Sequence, residues 1–386
     1  MFGGFNTIAV AGAVILAGAL AAEVSARDLH VAPGAAARGA DGSVERPWPG
    51  VAEALAAGAG GGDRLLLGAG EYGSVVISGV RADPPLEIAP VDPDGRPPRL
   101  TTLRVRESAG VSIRGLLVEG GEGRPNAPIV RIEADASGVT LEGLTVRSGT
   151  GHGSWSAEEW VERSRRGILA EGPGASILGN RLSAVRHGIT VIGPDARVTG
   201  NLIDGFSGDG IRGLGDRGLY EGNTIRNCVQ VDRNHPDGFQ SWARAPGGKA
   251  GTGEITGVVF RGNTIINHTG PRTPLTCHLQ GIGLFDGMYV DWRIEDNLVE
   301  VDAWHGITVR GAVNTRVTGN VVRNISPGRP GPPSVVLASH KDGRPGANNL
   351  LAGNSATNFR TNTERKLFTD PKVTIQRDNR LLVPVR

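Results

Sequence analysis

Around a repeated Gly-apolar pair the chain sets side chains that could do acid–base chemistry. The pair stands at Gly167-Ile168, Gly188-Ile189, Gly210-Ile211, Gly238-Phe239, Gly281-Ile282 and Gly306-Ile307. If the apolar residue points into a core, the residue before each glycine faces outward or stands at a strand's edge. That column reads Arg166, His187, Asp209, Asp237, Gln280 and His305. Two residues past the glycine the column is Leu169, Thr190, Arg212, Gln240, Gly283 and Thr308, and two further it is Glu171, Ile192, Leu214, Trp242, Phe285 and Arg310.

On neighbouring strands about 4.8 Å apart, Asp209 and Asp237 would repel, and one would hold its proton unless a cation lay between them. Clustered carboxylate oxygens suit Ca²⁺, so Asp209 and Asp237, with Asp204 as a third donor, are the expected calcium ligands. His187, His235 and His305 lack compact zinc spacing. The expected catalytic set is Asp209, Asp237, His305, Arg310 and His235. His305 is the preferred general base, with His235 or Arg310 as rivals. Arg212, Gln240, Trp242, His187, Gln280 and Lys249 are the expected substrate contacts, the arginines for carboxylates and Trp242 for a sugar ring or for packing under the loop that follows it.

A second repeat must position these residues. Gly-Asn returns at Gly179-Asn180, Gly200-Asn201, Gly222-Asn223, Gly262-Asn263, Gly319-Asn320 and Gly353-Asn354, and Asp296-Asn297 fills the gap. The tightest steps are 21 residues from Asn180 to Asn201 and 22 from Asn201 to Asn223. So short an apolar period marks a solenoid whose coils bury their inner face by stacking on one another. Strands such as Val75-Val76-Ile77, Val111-Ser112-Ile113 and Val139-Thr140-Leu141 alternate apolar and polar residues, as one buried face requires. Inward asparagines must be satisfied, so the Asn column reads as an internal ladder and takes no part in catalysis. After Ala57 only Ala157–Arg165 shows a helical period.

The high glycine count of 60 suits a turn-dense coil. A net charge of +2 gives no bulk attraction to nucleic acid, so no nucleic-acid partner is expected. Residues 1–26 read as a signal peptide, with the apolar stretch Ile8–Ala22 and a small-x-small site at Val24-Ser25-Ala26. The body is therefore expected to be secreted or periplasmic, with no membrane association after cleavage. Cys228 and Cys277 either pair there or remain as two buried thiols. The expected layout is an N-terminal opening and cap over 27–74, a coil body over 75–355, and a C-terminal tail or cap over 356–386. Insertions Val229–Pro236, His268–Leu279 and Ala243–Ile255 lengthen the middle coils and should project beside the same strands as the walls of a groove.

The opening segment Asp28–Gly73, with a short helix near Val51–Ala57, and the Gly-Asn coils together resemble right-handed parallel β-helix proteins of the pectate-lyase-like type. The resemblance covers about Asp28 to Leu351. It implies an all-β fold, a single right-handed parallel β-helix solenoid with an N-terminal capping helix. The string Asp232-Arg233-Asn234-His235-Pro236-Asp237-Gly238-Phe239-Gln240 is similar to the N-x-D-G and H-x-D-G-x-Q segments of β-helix polysaccharide enzymes. The polygalacturonase pattern is matched in part: Trp304 replaces the first Gly of G-H-G, no Lys follows Arg310, and Gln280 stands where an Asp-Asp pair would be. The expected function is a lyase that cleaves an acidic, uronic-acid polysaccharide by β-elimination, with calcium between Asp209 and Asp237. The alternatives are a glycoside hydrolase using Asp209 and Asp237, a C5 epimerase, and a non-catalytic carbohydrate-binding β-helix. Two methionines argue against copper(I) handling.

Overall fold

The computed structural model describes residues 26–121, 123–326, 332–359 and 374–382. The expected signal peptide lies almost wholly outside the described residues. Among them, no helix is long and apolar enough to cross a membrane.

Each coil contributes strands to long parallel sheets. One sheet starts with Asp28–Val31 on Arg64–Leu67 and runs to Thr374–Arg377. A second ladder runs through Arg181–Val185, Leu202–Phe206, Thr224–Cys228 and Thr264–Ile266. A third carries the Gly-apolar strands: Arg166–Ala170, Ile189–Val191, Ile211–Gly213, Asp237–Trp242, Gln280–Asp286 and His305–Arg310. Inward residues from all three fill a continuous core, with Tyr220, Phe239, Phe260 and Trp292 packed ring to ring at its centre. Near the N-terminal end a short helix, Val51–Ala56, sets Val51 and Ala54 into that core. A second helix, Ala157–Arg163, is started by a capping box between Ser156 and Glu159.

The Gly-Asn corner explains the repeat. Gly179, Gly200, Gly222, Gly262, Gly319 and Gly353 have φ between 61° and 68°, left-handed values that a β-carbon disfavours. Asp296, the exception in the sequence, holds φ 54°, and aspartate is among the side chains that tolerate this region. The next residue turns its amide inward. Asn201 Nδ2 donates to Asn223 Oδ1, Asn223 to Asn263 and Asn263 to Asn297, at 2.9, 2.9 and 3.1 Å. The ladder continues through Asn320 and Asn354 to Asn379, one step beyond the repeat read from sequence.

Candidate active site

The third sheet holds the alignment read from the Gly-apolar landmark. Leu169 lies beside Thr190, Thr190 beside Arg212, Arg212 beside Gln240, Gln240 beside Gly283, and Gly283 beside Thr308. Asp237 lies beside Gln280. The glycines of the landmark are fixed by packing: a β-carbon on Gly210 would come within 2.4 Å of Ile225 and 2.6 Å of the Gly238 carbonyl.

Three sequence expectations need correction. Asp209 and Asp237 do not stand out in solvent; both are about 1% exposed. His187 is no surface contact either, at 6% exposure. Its Nδ1 accepts the backbone N–H of Asp209 at 3.0 Å, so it positions that residue, and burial together with Arg212, Arg166 and Arg186 pushes its pKa down to about 2. Finally, Trp242 pairs with Asp286 and not with Phe285, because the register shifts after Ser241. Phe285 is the extra residue of this bulge, and such an insertion re-aims a side chain. Its ring turns back over Gly283: a β-carbon there would sit 2.4 Å from Asp237 Oδ1 and 2.5 Å from Phe285 Cε2. The absent side chain at 283 leaves the notch in which the carboxyl and the ring meet.

The two aspartates divide their roles by their partners. Asp209 Oδ2 accepts Arg212 Nε at 2.6 Å, and Oδ1 accepts the backbone N–H of Asp237 at 3.0 Å. Arg212 also lies over the Trp242 ring, 5.2 Å from its centre. Asp237 Oδ2 accepts Gln240 Nε2 at 2.9 Å, while the buried Oδ1 has no partner among the described residues. Burial raises both carboxyls; Arg212 and the N–H oppose this at Asp209, whereas the charge on Asp209 adds to it at Asp237. The proton of the pair therefore belongs on Asp237.

The donor set does not fit calcium. Ca²⁺ takes six to eight oxygens, yet a guanidinium occupies Asp209 Oδ2, and Asp204 is spent on Arg226 and Asn227. Of the oxygens on these three carboxylates, Asp237 Oδ1 is left without a hydrogen bond among the described residues. No group of three or more His, Cys, Asp or Glu able to hold a metal occurs among the described residues.

Further buried polar atoms without partners among the described residues share the outward side of this sheet: Arg166 Nε, Thr190 Oγ1, Gln280 Oε1 and Arg310 Nε. Burial lowers the pKa of Arg166 and Arg310, and Arg212 and Arg186 add to the effect at Arg166. His305 Nδ1 lies 2.9 Å from Thr308 Oγ1, its ring edge-on to Phe285 and beside Trp304. His235 and Lys249 are exposed on their loops, and among the described residues no hydrogen bond or ion pair joins either side chain to the cluster.

The two upstream loops are pinned together. Cys228 and Cys277 form a disulfide, which decides between the two states open to these cysteines. Val229 bridges to Thr276, and Gln230 N–H donates to Leu275 O at 2.7 Å. Next to Cys277 stands a residue that the alignment passed over. His278 Nδ1 lies 2.8 Å from Oδ2 of Asp302, whose side chain is wholly buried. Asp302 also accepts Arg272 Nη1 at 3.0 Å and Asn267 Nδ2 at 2.9 Å. A histidine inside an insertion and an aspartate one coil later share no repeat position, so spacing could not pair them.

Residues 166–363 match the family described as the right handed beta helix region. The chain belongs to the right-handed β-helix family. Among curated proteins, none matches it by sequence. Among solved structures it is similar to a GH136 lacto-N-biosidase from Eubacterium ramulus, at 12% identity over 92% of this chain and 67% of that one, with a TM-score of 0.56. A pectate lyase aligns at 15% identity over 93% and 77% of the two chains with a TM-score of 0.46. A rhamnogalacturonan lyase aligns at 11% over 92% and 87%, with a TM-score of 0.44. At 12% identity the likeness to the lacto-N-biosidase shows a shared fold and nothing about the reaction.

Proposed function

We propose that this β-helix protein is a polysaccharide-active enzyme that cleaves an acidic, uronic-acid-containing polymer by β-elimination without a metal. The observation that carries this reading is Asp237: a buried carboxyl that favours its proton, with Oδ1 lacking a partner, on a sheet face where Arg166, Thr190, Gln280 and Arg310 also present unpartnered atoms. Buried polar groups demand partners, and two guanidiniums with unpartnered Nε atoms ask for an anion.

In the reaction, arginine holds the uronate carboxylate and spreads the charge that develops when C5 loses its proton. The C5–H pair becomes the C4=C5 double bond, the C4–O4 bond breaks, and O4 leaves with its pair and takes the proton of Asp237. The C5 proton passes to a general base beside the sheet, for which His305 is the candidate read from the sequence. Hydrolysis by the Asp209/Asp237 pair would first require Asp209 to leave Arg212. The disulfide supports an extracytoplasmic site of action.

The test is to incubate the protein with acidic and neutral polysaccharides, reading unsaturated-uronate absorbance and reducing ends together, with and without a chelator. Both signals should rise on an acidic polymer and survive chelation. Reducing ends without absorbance would assign hydrolysis, and loss on chelation would return a metal to the site.

A further inference from the structure

We propose that the protein carries a second, non-catalytic binding site for an acidic polysaccharide, on the outward face of its first sheet at Arg293 and Arg316. The class of polymer is taken from the reading above; the site itself rests on separate observations. Three arginines of this sheet are neutralised from a neighbouring strand. Arg64 Nε donates to Asp28 Oδ1 at 2.7 Å, Arg114 pairs with Glu87 at 2.5 Å, and Arg261 Nε donates to Glu221 Oε1 at 2.6 Å. Arg293 and Arg316 depart from this pattern. They are direct partners in register, with Val259 on the rung before and Leu350 on the rung after, so their column offers no carboxylate. Glu295, two residues on, faces Arg261. Both arginines are exposed, and neither side chain has a hydrogen bond or ion pair among the described residues. Like charges directly opposite across a strand pair destabilise a sheet. An anion from outside the chain would offset that cost.

The two arginines line a depression of about 620 Å³ together with Asp291, Asn314, Asn348, Leu350 and Ile375. Asp291, Asn314 and Asn348 occupy one corner column, just before three successive strands, at φ of 58°, 49° and 53°. Upstream in the same column, Arg217 and Asp195 satisfy each other through two hydrogen bonds of 2.7 and 2.9 Å. Downstream, the three side chains have no such bond among the described residues.

This mixture of groups selects the ligand. A guanidinium fork matches a carboxylate. Asparagine amides both donate and accept, and an ionised aspartate only accepts, so Asn314, Asn348 and Asp291 suit sugar hydroxyls. Leu350 and Ile375 continue the arginine column, with Ile375 69% exposed, and an apolar patch rimmed by polar groups marks a binding surface. A phosphate backbone would use the arginines alone and meet Asp291 as a like charge. A uronate uses every group. Because the first and third sheets turn different faces to solvent, a strand held here leaves the groove open and raises the local concentration of polymer beside it.

The test is electrophoresis of the full chain through gels containing polygalacturonate, alginate, dextran or duplex DNA, in the D237N background so that the polymer stays whole. The parent should be retarded by the two polyuronates and not by dextran. R293Q/R316Q should bind the polyuronates about tenfold more weakly, the scale of two exposed ion pairs, with its melting temperature held or raised as the like-charge pair disappears. R293K/R316K, which keeps the charge and loses the fork, should fall between them. Without D237N, R293Q/R316Q should keep kcat on a short oligouronate and raise KM a few-fold on the long polymer. Equal retardation of parent and R293Q/R316Q, or no retardation of the parent, overturns the inference and leaves the elimination reading standing. Equal retardation by DNA, lost in R293Q/R316Q, would make this a phosphate site and overturn the sugar assignment. Retardation lost in R293Q/R316Q, from a protein that forms no unsaturated uronate, would sink the elimination reading and leave the binding site in place.

Discussion

The same coils carry two stacks of polar side chains, one on an inner corner and one on the groove face, and they are built on opposite rules. At the corner the residue is asparagine at every step, each amide donates to the next, and Asn180, Asn223, Asn263, Asn320 and Asn354 have no exposure at all. On the groove face no two successive rungs carry the same residue in the column from Arg166 to His305, save the aspartates at 209 and 237, and buried atoms of Arg166, Thr190, Asp237, Gln280 and Arg310 lack partners among the described residues. Identical, saturated stacking serves the solenoid alone. Varied, unsaturated stacking stores hydrogen-bonding capacity for something outside the chain.

The largest expected effect separates the two stacks outright. D237N keeps the shape of the buried side chain and removes the proton donor, so kcat on an acidic polymer should fall by about 10²–10⁴, with the melting temperature held or raised as the Asp209 repulsion disappears. N263A should do the reverse. It leaves the Asn223 N–H and the Tyr220 carbonyl without their partner, at about 1–3 kcal/mol for each buried group. Denaturant melts should show that loss, while activity per folded molecule stays close to wild type. If N263A abolished turnover in folded protein, the division between the stacks would fail.

Much of this division is legible in the amino-acid sequence. The Gly-Asn repeat implies the coil and its ladder, and the Gly-apolar landmark aligns Thr190, Arg212, Gln240, Gly283 and Thr308 in the register that the sheet adopts. What stays hidden is set by single-residue events and by contacts between unlike positions. One extra residue between Leu284 and Asp286 turns Phe285 over the notch, and a repeat has no landmark beyond the glycine to count it. The Arg212–Asp209 bond joins residues three apart in the chain, which a rung-by-rung comparison treats as separate columns. The outward columns also hide burial, because a strand's outer face can be roofed by its own loops.

The roof supplies a finer test of the groove. Phe285 lies against the notch that holds Asp237 Oδ1, and desolvation is the largest cause of the raised Asp237 pKa. F285A should admit water, lower that pKa, and move the alkaline limb of the kcat profile to lower pH, since Asp237 acts only while protonated. An unmoved limb would mean that the aromatic ring contributes nothing to the acid.

The smallest expected effect lies beneath the groove, at His187, and is read in stability. Its pKa is pushed down to about 2 in the folded protein by burial and three arginines, against about 6.5 for an unfolded histidine. The unfolded chain therefore binds the extra proton between these values. The contribution of His187 is complete above pH 6.5 and is lost progressively as pH falls below it. Asp237 runs the other way: with its folded pKa raised, it costs stability as pH rises above the ordinary carboxylate value. Melting temperatures of wild type and H187Q measured from neutral to acid pH should converge as His187 loses its advantage, with H187Q the flatter curve. Parallel curves would show that His187 takes up its proton at the same pH folded and unfolded, so that burial does not shift it.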